Sequence, residues 1–285
     1  NTALTLVEGQ DAAAYPLKTQ REAELKFLRG HFYFLLKILF NHIPYIDETL
    51  QKSAANYGAV SNVALTSDQI WSKIADDFTW AAANLPVTQS DAGRATKGAA
   101  EAYLAMTLLY SAYMQDDKNN VTGIDNAKLQ AVVTNCDAVI NSGKYSLDAD
   151  FADNFLPQFN NSPESVFSIQ FSKNDQTPIG RIDAGHCLNY PMDAEYGCCG
   201  FHVPSDNMVN AFKTDATGLP MFDTFNNNDV VPSNDFNTNT FDPRLDHTVA
   251  IPGHPYKYQT NLPYQAAWAR DQQSYGPLLS LKEVV

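Results

Sequence analysis

His186, Cys187, Cys198, Cys199 and His202 crowd one short stretch of the chain and supply the nitrogen and sulfur atoms that zinc prefers. Their spacing lacks the paired C-x2-C knuckles of structural zinc sites, so no metal is expected. In an exported chain a disulfide from Cys187 to Cys198 or Cys199 is the favoured use, because adjacent cysteines rarely bond one another without strain. The other histidines (31, 42, 247 and 254) are scattered, and none stands four residues from another on a predicted helix. Acidic groups occur at Asp76/Asp77 and at Asp148, Asp150 and Asp153. On their helix Asp76 and Asp77 fall at or beyond the edge of the apolar stripe, which predicts a solvated face. No acid sits in an apolar setting that would raise its pKa for acid catalysis. No G-x-S-x-G, G-x-G-x-x-G or G-x-x-x-x-G-K-[ST] motif is present, so neither catalytic residues nor a cofactor are expected. The Asn/Asp-rich run after Phe225 lacks the order of a calcium loop and reads as a solvated connection.

The densest unexplained chemistry lies in Pro255–Tyr275. Tyr256, Tyr258, Tyr264, Trp268 and Tyr275 alternate there with Asn261, Gln265, Arg270 and Gln272. No helical or strand period orders these rings, which argues against a simple core stripe. The chain has 14 Tyr, 16 Phe and 3 Trp in 285 residues, an excess that must serve as core or as binding surface. Tyr190, Tyr196 and Phe201, beside the cysteines, form a second and weaker patch.

Composition excludes some functions. A net charge of -13 with no basic run repels phosphate backbones, so nucleic acid is not an expected partner. The apolar stretch Phe32–Phe40 is too short to span a bilayer, which takes about 20 residues. Asn1–Pro16 does not resemble a signal peptide, which leaves either a cytoplasmic chain or a processed piece of an exported one.

The elements that position these residues follow from periodicity. Lys18–Phe40 is predicted helical, with Phe27, Leu28, Phe32, Leu35, Leu36 and Leu39 as its buried stripe. A second helix opens at Thr66 with a capping box to Gln69 and buries Ile70, Trp71, Ile74, Phe78, Ala81 and Leu85. Trp80 lies about 200° from the centre of that stripe, at about 100° per residue, and is assigned to packing between repeats. A third helix follows Thr96 with small and aromatic residues. A fourth begins near Asn126, buries Cys136 as a small core residue, and ends at a left-handed Gly143. Glu164–Phe171 alternates as a half-buried strand. Ser205 caps a short helix with Met208, Val209 and Phe212 inward, Asn226–Thr240 is a loop with little to bury, and His247–Ile251 is a short strand. The expected fold class is mainly α: tetratricopeptide-like helical hairpins over 1–143, and over 144–285 a loop-rich region with short strands, packed on them and carrying the ligand face.

Several segments resemble the SusD/RagB family of nutrient-capturing surface lipoproteins of Bacteroidota. They are Arg21–Leu36 with Phe40-Asn41-His42-Ile43-Pro44-Tyr45, Gly93–Ala100 leading into Tyr103-Leu104-Ala105, Tyr145-Ser146-Leu147 with Glu164–Phe171, and Pro204–Phe212 followed by Asp242-Pro243-Arg244-Leu245. They occur in the family's order from Arg21 onward. The resemblance implies a single SusD-like fold that extends beyond both ends of this chain, including an N-terminal lipid anchor that these residues do not contain.

What the resemblance implies about function is non-catalytic capture of oligo- or polysaccharide at the outer membrane and delivery to a SusC-like TonB-dependent transporter. Sugars offer C–H faces to aromatic rings and hydroxyls to amides and guanidinium groups. On that basis Trp268, Tyr264, Tyr258, Tyr256, Asn261 and Arg270 are the expected ligand contacts. A RagB-like peptide-uptake role and a helical scaffold for protein partners are the alternatives.

Overall fold

The computed structural model describes residues 1–285 except 51–52, 173–175, 177–187, 194–196, 198, 231–235, 237–238, 258 and 283–285, and the side chain at 54. It is mainly helical, with short strands, and divides into two units: 1–147 with 161–170, and 148–160 with 171–285.

The first unit is a run of helices: α1 (Thr2–Glu8), α2 (Lys18–Phe40), the short α3 (Ala54–Gly58), α4 (Ser67–Asn84), α5 (Lys97–Ala112) and α6 (Asn126–Ile140), in which α1 packs on α2, α2 on α4, α4 on α5 and α5 on α6. Local chemistry sets their starts. Thr66 and Gln69 form both halves of a capping box on α4. Thr96 accepts from the Ala99 N–H at α5, and Asp125 from those of Ala127 and Lys128 at α6. Between α5 and α6 the hairpin β1 (Tyr113–Gln115) and β2 (Val121–Ile124) turns the chain. Gly143 takes the left-handed backbone expected of it, φ 66°.

The core joins Phe27 and Phe34 of α2 to Ile70, Ile74, Phe78 and Ala81 of α4 and to Ala99, Ala100 and Leu104 of α5. Phe27 meets Phe78, Tyr103 and Phe167 edge-on at 5.6, 5.5 and 5.0 Å. The α4 stripe is as expected, with Trp71 half-buried on its border and Trp80 half-buried beneath the Lys26 ammonium.

The α2 stripe differs from expectation. Of the six residues assigned to it only Phe27 is buried, and the contact face is Ala23, Phe27, Gly30, His31, Phe34 and Lys37. Leu28, Phe32, Leu35, Leu36 and Leu39 are exposed, Leu39 by 71%. Gly30 is the reason. A Cβ there would lie 3.0 Å from the Phe78 ring, so the small residue lets α4 close onto this side of α2.

Three further expectations are corrected. Cys136 is an exposed free thiol, because α6 buries only Val139. Residues 164–171 form no strand; Phe167 packs into the aromatic cluster while Ile169 and Phe171 stay exposed, and no neighbouring strand among the described residues offers a ladder. Asp77 is buried rather than solvated. The Arg29 Nε and Nη2 donate to its two oxygens at 2.7 Å each, and Arg29 also pairs with Glu48. Burial disfavours the Arg29 charge, but Asp77 and Glu48 outweigh it and hold the guanidinium above its usual range.

The second unit has short elements: α7 (Asp206–Asn210), β3 (Lys213–Thr214), β4 (Thr240–Phe241), β5 (Val249–Ala250), β6 (Pro255–Tyr256), β7 (Gln259–Pro263), α8 (Gln272–Tyr275) and β8 (Leu279–Ser280). They pair antiparallel as β3–β4, β5–β8 and β6–β7. Ser205 caps α7 as expected, with Val209 buried and Phe212 packed behind it, while Met208 points outward. The Asn/Asp run is anchored more firmly than its composition suggests. The buried Asn210 amide donates to Asn226 and Asp229, its oxygen accepts from the Val230 N–H, and Val230 is fully buried. Lys213 binds the carbonyls of Phe225 and Asn228. Among the described residues no helix is long and apolar enough to cross a membrane.

Candidate functional site

Pairing of β6 with β7 and of β5 with β8 decides which rings of Pro255–Tyr275 reach solvent. Tyr256 and Tyr264 stack at 6.2 Å beneath Ala250, Leu279 and Leu281 and are 2% and 0% exposed. Both were expected on the ligand surface; both are core. Two strand ladders close over them, and no repeating period is needed to bury a ring from an irregular segment. Among the described residues the Tyr264 hydroxyl has no hydrogen-bond partner, and burial pushes its pKa up.

Trp268 sits at the border of this core. It ends a short 3-10 turn, Ala266–Trp268, and meets Tyr256 and Tyr264 edge-on at 5.5 and 5.6 Å, leaving the indole half-buried. Its carbonyl accepts from the Met192 N–H at 2.9 Å, which ties the described part of 188–201 to this turn. Within that stretch the N–H groups of Cys199 and Phe201 both donate to the Leu188 carbonyl, and the Gly200 N–H donates to that of Tyr190.

Arg270 completes the join. Its guanidinium lies over the Phe201 ring, 4.6 Å from the centroid, and Nη1 donates to the Cys199 carbonyl at 3.1 Å. Gly200 makes this approach possible: its φ is 64°, and a Cβ would fall 3.0 Å from the Arg270 Cβ. Cys199 is disulfide-bonded, which agrees with a disulfide use of the cysteine cluster; Cys187 and Cys198 lie outside the described residues.

The result is a surface carrying the 43%-exposed Phe201 ring, the exposed Arg270 and Met192, and the open side of Trp268. Two patches that stand some seventy residues apart in sequence meet there, at Phe201 and Arg270. Asn261 is exposed on β7, and no hydrogen bond or ring contact among the described residues links it to Trp268 or Arg270. Tyr258 and Tyr196 lie outside the described residues. Such a surface can stack against an apolar face and donate hydrogen bonds at its rim.

Two further cavities are lined by residues distant in sequence. In the first unit about 720 Å3 opens beside Lys37, Asn41, Trp71 and Tyr110. The Lys37 ammonium there donates to the Asn41 carbonyl and side chain and lies 5.7 Å from the Trp71 ring. In the second unit about 640 Å3 opens between Phe151, Phe212, Thr214, Arg244, Thr248 and Lys282. The spacing of these residues carries no signal, because distant turns bring them together.

Comparison with known proteins fits this architecture. Residues 1–109 match a family profile described as SusD-like, starch-binding associating with outer membrane, and residues 163–280 match the SusD family. A SusD-like protein of Formosa agariphila is 26% identical over 176 residues, covering 61% of this chain and 30% of that protein. A SusD-like carbohydrate-binding protein of Bacteroides fragilis superposes with a TM-score of 0.66 at 21% identity, over 93% of this chain and 48% of its own. A SusD superfamily protein of Bacteroides vulgatus gives 0.65 at 20%, over 99% and 51%. A structure determined with a xylogluco-oligosaccharide gives 0.64 at 20%, over 99% and 52%. The chain thus spans 30% of the curated relative and about half of the solved ones. With both halves matched in order on a shared helical fold, the chain belongs to the SusD/RagB family.

Proposed function

We propose that this chain is the glycan-gripping part of a non-catalytic surface protein, which captures oligo- or polysaccharide at the outer membrane and passes it to a SusC-like TonB-dependent transporter. The observation that carries this reading is the Phe201–Arg270–Trp268 surface on a SusD-family fold. A pyranose ring offers one C–H face to Phe201 and Trp268, and its equatorial hydroxyls face the Arg270 N–H groups and nearby amides. Related folds that bind carbohydrate support it: the Bacteroides fragilis protein is described as carbohydrate-binding, and another relative was solved with a xylogluco-oligosaccharide. A neutral glycan makes no demand on the net charge of -13. Anchoring through an N-terminal lipid, and the transporter as partner, follow from the family and belong to the proposal.

Affinity electrophoresis against a panel of neutral polysaccharides, with assay of released reducing ends, tests the reading. Retention by at least one polysaccharide without release of product is expected. Retention by none, with capture of a peptide mixture instead, would move the chain to the peptide-uptake reading.

A further inference from the structure

The cavity of the second unit has an electrostatic character opposite to that of the chain. Among the described residues its wall carries Lys213, Arg244 and Lys282 against a single carboxylate, Asp242, in a protein of net charge -13. Lys213 is engaged by two carbonyls. Arg244 spends Nε and Nη2 on Asp242, which leaves Nη1 without a hydrogen-bond partner among the described residues. Lys282 has no anionic partner at all among them. Its ammonium lies over the rings of Phe151 and Phe155, at 4.3 and 3.4 Å from their centroids. Burial, with Arg244 and Lys257 as like charges, brings the Lys282 pKa down to about 8. A cation so placed is under-compensated, and the Thr214 and Thr248 hydroxyls add polar groups to the same wall.

We propose that this cavity is an anion subsite, in which Lys282 and the free edge of Arg244 receive the carboxylate or sulfate of an acidic glycan. The proposal rests on the glycan reading and narrows it to a substrate class. Phe151 and Phe212 would flank the sugar ring while the two cations meet its charge through charge-assisted hydrogen bonds in this open cavity. General attraction cannot mimic it, because the net field of the chain repels anions.

Matched ligand pairs test it by isothermal titration: oligogalacturonate against its methyl ester, and a sulfated galactan oligosaccharide against its desulfated form. The charged member of one pair is expected to bind at least about tenfold tighter than its neutral partner, or about 1.4 kcal/mol. Which pair shows the preference identifies the substituent. Lys282→Gln should abolish the preference while leaving the neutral ligands unchanged, and Lys282→Arg should restore it. Equal affinity within both pairs, or a preference that survives Lys282→Gln, overturns the subsite while leaving the glycan reading in place. If no glycan of either kind binds, that reading falls. Free galacturonate and inorganic sulfate then decide the cavity: binding lost in Lys282→Gln keeps it as an anion site, and no binding removes it.

Discussion

A guanidinium whose side chain is only 11% exposed persists in a helical core only while carboxylates meet it. Arg29 therefore works as a latch between α2, Asp77 of α4 and Glu48 of the connecting segment, which Tyr33 also holds through both backbone groups of Ile46. Asp77→Ala is expected to cost about 3 kcal/mol in urea unfolding, because it leaves a buried charge short of its partner. The paired replacement Arg29→Met with Asp77→Leu should cost less than that single change. Burial tends to raise the Glu48 carboxyl, but its backbone hydrogen bond, Arg29 and Lys26 outweigh it and hold it below the usual range. Its stabilising contribution is thus present above the ordinary glutamate range and lost as pH falls through the lowered value. Acid should accordingly reduce the stability of the wild type more than that of Glu48→Gln, as measured by urea midpoints from pH 6 downward. Asp77 was misplaced by sequence because it sits beside the stripe. Only the partner on another helix, nearly fifty residues away, shows why a carboxylate is tolerated there. Trp268, expected as a ligand contact, is half-buried against Tyr256 and Tyr264, which makes its truncation a packing mutation too.

Helix boundaries were legible because caps are local chemistry, and Thr66, Thr96 and Ser205 each accept the N–H three residues on. Thr66→Ala should cost about 1 kcal/mol in the same urea assay. The face a helix buries was legible only where one stripe exists. On α4 a single apolar stripe predicted the core, whereas α2 is apolar on two sides and Leu28, Leu35, Leu36 and Leu39 lie on the exposed one. Ala23 and Gly30, not the leucines, mark its contact face, because close helix approach favours small residues. The same logic places Gly98 at the start of α5, where a Cβ would come within 2.6 Å of the Tyr145 ring. Gly98→Val should displace that ring, break the Tyr145–Thr96 hydroxyl contact of 3.1 Å, and destabilise the first unit by about 1–3 kcal/mol. Alternation at 164–171 misled for a related reason: period two requires a partner strand to become a ladder, and no sequence window contains the partner.

Across the whole molecule, the change from regular helices to short strands and loops was visible in periodicity, and the family resemblance followed from segments in a shared order. The candidate ligand surface was visible only in part. Composition pointed to Pro255–Tyr275 but could not sort buried rings from open ones, since that depends on which short strands pair. Phe201 and Arg270 come together through a disulfide-bonded, glycine-hinged segment, whose path no period encodes. These two residues form the proposed grip and, unlike Trp268, lie outside the packed ring cluster. The most direct measurement is therefore retention of the wild type, Phe201→Ala and Arg270→Gln on whichever neutral polysaccharide the wild type binds, with thermal melts run alongside. Each variant is expected to lose about tenfold in affinity, the scale of an aromatic or arginine anchor, while melting as the wild type does. Undiminished retention by both variants would contradict the proposed grip.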